Sequence, residues 1–451
     1  MKSKLYSLIS LAIFLVISSC DKYLDVKPDD KLSVPQSLDE LQGLLDNYPV
    51  LNQVSGGAGE ACADNYYLTS DDWRALTLEN QQRIYTWEKD FLFPQGSTNE
   101  WSVNYRAIYY ANSVLKHLDE AGDADRQRRN FIEGQAYFYR GQYHLRTALL
   151  WAPAYEDGRI NEPWGIPLKL SDNFNEETKR SMLGETYTQI LSDLKLAGAL
   201  LPTDSGHPAR PSKAAAFGLL ARTYLSMRKY QEAAAYADSS LQLHSGLMDF
   251  NELDSTENFP IKQLNREVIH WNRILPPSML ADTRARIPDA LYQLYDEDDL
   301  RKSIFFRKDK DGSTFFKGYY EGLPAPFGGV ASDEVLLMRA ECKVRLGEAE
   351  GALIDLNTLL MARYKKGKFH GYEIGKVDDL LKIILIERRK QLLMRDLRWM
   401  DLKRLNLEGA NITLQRSIDG KQFLLPPKDL RYVLPIPEDI VMMTGIAQNP
   451  S

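Results

Sequence analysis

Apolar positions recur at helical spacing through most of the chain, and the breaks between those runs divide it. Leu38, Leu41, Leu44 and Leu45 predict a short helix after an extended lead that contains Pro28 and Pro35. Residues 61–99 carry no clean period. A helix is predicted from about Asn99, with Ser97 and Glu100 read as a capping box. On it Trp101, Tyr105, Ile108, Asn112 and Leu115 share one face. Asn112 is the polar member of that stripe and is expected to bond to a neighbouring backbone. A longer helix follows from about Asp125 to Leu150, then a loop over 151–182 rich in Pro and Trp, then helices from Gly184 to Leu200 and after Pro211. Trp101 and Trp399 are assigned to the core, and Trp151 and Trp164 to loop staples.

Two stretches repeat one pattern. Residues 211–243 place Phe217, Leu220, Ala221, Tyr224, Ala233 and Ala237 at the spacing of a tetratricopeptide helix pair. Residues 333–362 repeat it with Leu336, Ala340, Ala352 and Leu356. Ala221 matches Ala340, and Ala233 matches Ala352. Small residues there let two antiparallel helices approach closely. Between the repeats, residues 246–331 lose the helical rhythm but keep many aromatics, including Phe250, Phe259, Trp271, Phe305-Phe306, Phe315-Phe316, Tyr319-Tyr320 and Phe327. A segment that long without regular structure tends to be functional. One strong helix is predicted over about Asp378–Leu405, where Glu387-Arg388-Arg389 is read as a source of inter-helix ion pairs, and an extended tail over Val433–Pro437.

The N-terminus has a different pattern. Lys2 and Lys4 precede an apolar run, Leu5 to Ile17, which ends Ile17-Ser18-Ser19-Cys20. The run is shorter than the roughly 20 residues that cross a bilayer. It fits a secretory signal, and the small residue before Cys20 makes a lipoprotein cleavage box. Acylation of Cys20 would tether the domain, each buried methylene contributing about 0.8 kcal/mol.

Composition narrows the reading further. The 451 residues are 44% hydrophobic and 26% charged, as in a globular protein with a real core. Removing residues 1–19 takes two lysines from a net charge of −6 and leaves −8. The chain then has no long basic block, so nucleic acid is not an expected partner. Of three cysteines, Cys20 is assigned to lipid, and Cys62 and Cys342 are read as free thiols, although an exported chain meets conditions that allow pairing. The six histidines are scattered, with no His-Glu-x-x-His, and there is no phosphate-cradling glycine loop, so neither a metal nor a cofactor is expected.

Several segments together resemble the SusD/RagB family. Cys20-Asp21-Lys22-Tyr23-Leu24-Asp25-Val26-Lys27-Pro28 resembles its mature start. Tyr105–Leu115 and Ala136–Arg140 resemble its first helices. Arg210-Pro211-Ser212-Lys213 leading to Ala221–Leu225, and Glu334–Glu341 with Gly347, Ala352 and Asn357, resemble its repeats. Glu387-Arg388-Arg389, Arg398–Arg404, Leu434-Pro435-Ile436-Pro437 and Gln448-Asn449-Pro450 resemble its C-terminal part. Gln135 and Gln391 depart from the usual acidic residue, and Arg395-Asp396 replaces the commoner Glu-Gly; all are expected on scaffold helices.

The resemblance implies a mostly α fold: about four tetratricopeptide-like helix pairs with a large irregular, ligand-facing half. Its expected divisions are a signal peptide over 1–19, an N-terminal helical-repeat part over 20–245 and a C-terminal part over 246–451, forming one unit. It implies a surface lipoprotein of the outer membrane that passes oligosaccharides to a SusC-type, TonB-dependent transporter. The RagB branch takes peptides instead. No ligand residue transfers by position.

Sugar capture needs aromatic platforms beside paired polar groups. The best local clusters are Asn65, Tyr66 and Tyr67 after Asp64; Trp73 and Arg74 after Asp72; Trp271, Asn272 and Arg273; and Tyr319 with Tyr320. Two other classes stay open. A glycosidase needs two facing carboxylates, and no acid/base motif stands out among the 62 acidic residues. A protein-binding repeat adaptor would not require the aromatic-rich irregular segment.

Overall fold

A computed structural model describes residues 35, 37–96, 98–121 and 125–450. The signal segment, Cys20 and Ser97 lie outside them. The helix of the leucine run is Leu38–Leu45 (α1), capped by Ser37. The next long helix, Glu100–His117 (α2), starts at Asn99, whose side chain accepts from the Ser102 amide at 3.0 Å while Ser102 returns a bond to the Asn99 amide. The capping partner is therefore Ser102, and Glu100 sits inside the first turn. Arg126–Trp151 (α3) follows, with Asp125 as its cap. Trp151 is its last residue and is buried, so it belongs to the helix core and not to a loop.

Leu183–Leu200 (α4), Lys213–Ser226 (α5) and Tyr230–Leu243 (α6) come next. After the irregular half come Ser332–Arg345 (α7) and Ala349–Met361 (α8). From α2 to α7, each of these helices packs on the one before it, and α8 packs on α7. The pairs α2–α3, α5–α6 and α7–α8 are consecutive neighbours with short connections. Ala221, Ala233, Ala340 and Ala352 are fully buried, as close helix approach requires. Gly141 of α3 serves the same end: a Cβ there would stand 2.9 Å from Leu194 of α4. Polar groups lock the stack. Arg140 forks onto Asp193 at 2.9 and 2.7 Å, and Asn112 donates to the carbonyls of Lys169 and Ser171 at 2.9 and 3.0 Å.

The single helix expected over 378–405 is two: Leu380–Gln391 (α9) and Arg398–Leu407 (α10). Met394 and Asp396 between them take positive φ, 57° and 58°, which no helix accommodates. Arg395 and Asp396 therefore lie in a break between scaffold helices. The ion pairs do form. Arg388 reaches Asp401 of α10 at 2.9 Å, Glu387 meets Arg301 at 2.6 Å, and Arg389 meets Asp64 at 2.9 Å.

The irregular half is held by short two-stranded pairings. Gln53–Ser55 runs parallel to Arg273–Leu275, Val268–His270 antiparallel to Val330–Ala331, and Phe306–Lys308 antiparallel to Thr314–Phe316. Leu414–Ile418 and Lys421–Leu425 form a hairpin, turned by Asp419 and Gly420 with φ of 51° and 78°, the signature of a tight primed turn. This half lacks long helices, so it makes its own core from rings: Phe305, Phe306, Phe316, Tyr295 and Tyr319 meet mostly edge to face at centroid distances of 4.8–6.3 Å. Cys62 and Cys342 are free and buried. Among the described residues, no helix is long and apolar enough to cross a membrane.

Candidate ligand-binding site

The short helix Ala58–Cys62 leads through a bend to an extended stretch in which Tyr66, Tyr67 and Leu68 lie in, out and in. Asn65 is buried and donates to Glu60 Oε1 at 2.7 Å. Tyr66 points inward and gives its hydroxyl hydrogen to the Ala61 carbonyl at 2.8 Å. Tyr67 points outward and is 39% exposed. Its backbone exchanges two hydrogen bonds with Arg286, at 2.8 and 3.0 Å, which fixes the ring's origin.

Arg416 of the hairpin is the anchor beneath. Its guanidinium lies over Tyr85, Trp87 and Tyr66, at 4.0, 4.5 and 5.3 Å from the ring centroids. It donates to the carbonyls of Ala61 and Ala63, both at 2.7 Å, and to that of Tyr85. Asp64 is fixed too. Burial opposes its ionisation, but the guanidiniums of Arg398 and Arg389 more than reverse this and hold the carboxyl well below the usual carboxylate range.

Around Tyr67 is a cleft of about 360 Å³, lined also by Trp87, Pro288, Asp289 and Gln415. It offers one exposed ring in Tyr67, an exposed acid in Asp289 and the amide of Gln415, whose nitrogen donates to Gln422 at 2.8 Å. Asp289 and Gln415 were not singled out from the sequence. The Asp419-Gly420 pair is the signal that could have placed Gln415, since it marks the hairpin.

Of the other sequence candidates, only Tyr66 lines this cleft, and its ring is buried. Trp73 is half-buried and donates through Nε1 to the Gln82 carbonyl at 3.2 Å, while Arg74 is exposed and pairs with Asp71 and Asp419. Arg286 ties this segment to the Tyr67 side by pairing with Asp72. Trp271 is buried, its Nε1 donating to Glu321 at 2.9 Å, and Arg273 meets the same carboxylate at 2.7 Å. Asn272 is buried between Arg146 and the Leu51 carbonyl, at 3.1 and 3.2 Å. Tyr319 is buried against Phe316, and the Tyr320 hydroxyl sits between the carboxylates of Glu267 and Asp333 at 2.5 and 2.8 Å. Asn65, Tyr66, Trp271, Asn272, Tyr319 and Tyr320 thus present no free ring face or amide to solvent, because the irregular half spends its aromatics on its own core.

A second open aromatic surface lies by α2. Phe174, 79% exposed, stacks on Tyr109 at 4.5 Å and 28° beside a groove of about 250 Å³ that also takes in Trp101, Tyr105 and Ile440. Trp164 is half-buried under the Arg180 guanidinium.

Comparison with known proteins gives this frame its lineage. Residues 22–225 match the family model described as "Starch-binding associating with outer membrane", and residues 333–451 match that of the SusD family. The chain belongs to the SusD family. A curated SusD-family relative, SusD-like protein P2 of Formosa agariphila, is 25% identical over 78% of this chain and 79% of its own length. A solved SusD superfamily protein from Bacteroides thetaiotaomicron superposes with a TM-score of 0.74 at 19% identity, covering 92% of this chain and 100% of that one. A laminarin-binding SusD-like protein superposes at 0.64 with 18% identity, over 92% and 100%. The SusD fold is therefore common to all three, and its mostly helical character agrees with the reading from sequence.

Proposed function

We propose that this SusD-family chain is a glycan-binding lipoprotein of the outer membrane that captures oligosaccharides and delivers them to a SusC-type, TonB-dependent transporter. The observation that carries the reading is the outward Tyr67 ring beside Asp289 and Gln415, on a backbone pinned by Arg416 and Arg286. A pyranose offers C–H faces that pack on such a ring and hydroxyls that need an acid or amide nearby. A pre-formed cleft with a small number of placed polar groups is the usual form of a small-ligand site. The family description as starch-binding and outer-membrane-associated, and the laminarin-binding relative, support the same ligand class. In this reading Cys20 carries the lipid and the protein acts by binding, without cleaving its ligand.

The test is retardation in native gels cast with a panel of polysaccharides, followed by calorimetry with the fragments of any that retard it. Retardation with unshortened polymer is the expected result. Shortened polymer would make the protein a glycosidase, and binding of oligopeptides alone would move it to the RagB-like role. Copurification with a large outer-membrane barrel tests the delivery step.

A further inference from the structure

A cavity of about 110 Å³ opens where the chain leaving α3, the helix α10 and the tail at 428–450 meet, on walls that share no residue with the cleft around Tyr67. Its apolar wall includes Leu407, Val433 and the half-buried ring of Trp164, which the Arg180 guanidinium steadies at 5.2 Å from the centroid. Its charged wall residues are Arg159, Lys403, Lys428 and Asp429. Two of these are already neutralised. Arg159 forks onto Glu162 at 2.9 and 2.7 Å, and Asp429 takes Arg431 on both oxygens at 2.8 Å.

The two lysines are not neutralised. Lys428 is exposed, and among the described residues no carboxylate pairs with it or with Lys403. Lys403 is the unusual one. It is 7% exposed, and its Nζ donates to the carbonyls of Leu149 and Ala152 at 2.8 and 2.7 Å. That uses two of the three hydrogens of an ammonium, and carbonyls at a helix end carry only a partial charge. Buried cations elsewhere in the scaffold meet a full carboxylate, as Arg404 meets Glu341 and Arg222 meets Glu334. Burial, with no acid near enough to oppose it, pushes the Lys403 amine down to about 7. Buried charges are ordinarily paired, and a carboxylate in this cavity would supply the missing partner.

The opposite need lies on the same wall. Asn449 is buried, and its Nδ2 donates to the carbonyls of Trp151 and Leu434 at 3.0 and 2.7 Å, which fixes the orientation of the amide. Its Oδ1 is buried and receives no hydrogen bond. Buried acceptors are nearly always bonded, so a molecule that fills this space has to bring a donor for Asn449 as well as a negative oxygen for the lysines. A bare carboxylate lacks the donor and a neutral sugar lacks the charge. A sugar acid has both, and its C–H face suits an aromatic wall. The volume, several times the roughly 10–15 Å³ that one water needs, suits a single sugar ring.

We propose that this cavity binds one hexuronate residue, with its carboxylate on Lys403 and Lys428, a hydroxyl on Asn449 and its C–H face against Trp164. The site does not depend on the glycan-binding reading of the Tyr67 cleft.

Calorimetry on the full chain in detergent, at constant ionic strength, compares sodium glucuronate with glucose, acetate and N-acetylalanine. The expected result is saturable binding of glucuronate with a Kd of about 1 mM or tighter, and binding of the other three weaker by about tenfold or more. Lys403→Met is expected to abolish glucuronate binding. Lys428→Glu changes an exposed side chain and is expected to weaken it by about threefold or more; this variant decides the matter if Lys403→Met does not fold. Tyr67→Ala is expected to leave it unchanged. No glucuronate binding by the wild type, or any of the other three compounds binding as tightly, would overturn the proposal. So would glucuronate binding that survives Lys428→Glu at full strength and is lost in Tyr67→Ala, which would place the sugar acid in the other cleft.

Discussion

Glu60 and Asp396 cap each other: the Glu60 amide donates to Asp396 Oδ1 at 2.9 Å, and the Asp396 amide donates to Glu60 Oε2 at 3.0 Å. This exchange joins the start of the ligand-bearing segment to the break between α9 and α10, across more than 300 residues of chain. It also brings two carboxyls together in a place poor in water. Burial pushes Glu60 up to about 7 and Asp396 up to about 8, from ordinary values of 4.5 and 3.8.

The folded protein therefore holds protons there that the unfolded chain has already released. Their stabilising contribution is complete below about pH 4 and is lost as pH rises through about 7 to 8. Asp396→Asn keeps a carbonyl oxygen for the Glu60 amide and removes the titrating group. Melting temperature measured across that window should fall less steeply with rising pH in Asp396→Asn than in the wild type. His144 and His270, which burial lowers to about 3, titrate with the opposite sign but contribute equally to both proteins. Equal slopes would show that the pair does not hold its protons.

Arg416 bears on the site more than its place in a surface hairpin suggests. Replacement by Met would leave the buried carbonyls of Ala63 and Tyr85 unmet, that of Ala61 with the Tyr66 hydroxyl alone, and three rings without their cation. The expected loss is about 3 kcal/mol, read as a lower urea midpoint at unchanged slope. An unchanged midpoint would mean that the hairpin and the 61–67 segment are independently stable.

The helical half was legible because its signals are local. Period, capping residues and the paired alanines fix α2 to α8 to within a few residues, and the resemblance carried by several ordered segments places them in one family. The break at 392–397 was not legible: Met394-Arg395-Asp396 contains neither Gly nor Pro, and only the Glu60 contact, far away in sequence, shows why a left-handed turn persists there. The site was legible in part. Of the four aromatic clusters, only the one at 64–67 borders the cleft, and there alternation decides which ring faces out: Tyr66 and Tyr67 divide on that point. Trp271 and Tyr320 looked equally suitable in sequence; their partners Glu321, Glu267 and Asp333 make them core. Asp289 opens the short helix Asp289–Tyr292 and Gln415 lies on the hairpin strand Leu414–Ile418, both remote in sequence, and no local pattern joins them to Tyr67.

The two interior thiols should be inert in the native protein. Burial pushes Cys62 and Cys342 both up to about 12, so almost no thiolate is present at neutral pH. A chromogenic disulfide reagent should react with neither until denaturant is added, and then with both. Reaction of one thiol at the native rate of a free cysteine would show that its helix opens locally.

Cys20→Ala should leave the fold intact and move the protein from the membrane fraction to the soluble one, since the proposed anchor is lipid alone. Equal melting curves with changed fractionation is the expected pair of results. A variant that stays with the membrane would put the attachment elsewhere, for example in a partner barrel.

Tyr67 and Tyr320 should separate binding from stability. Tyr67 carries an exposed ring, and its position is fixed through its backbone. Tyr67→Ala should therefore weaken glycan binding by about tenfold or more, the loss of roughly 1.4 kcal/mol, with the unfolding curve unchanged. Tyr320→Phe keeps the ring but removes the hydroxyl that lies between Glu267 and Asp333, two carboxylates then left to face each other in the core. That variant should bind normally and unfold at lower urea. The opposite pairing, with Tyr67→Ala binding at full strength and Tyr320→Phe failing to bind while folded, would move the ligand site from the cleft around Asp289 and Gln415 to the region of the 246–331 aromatics.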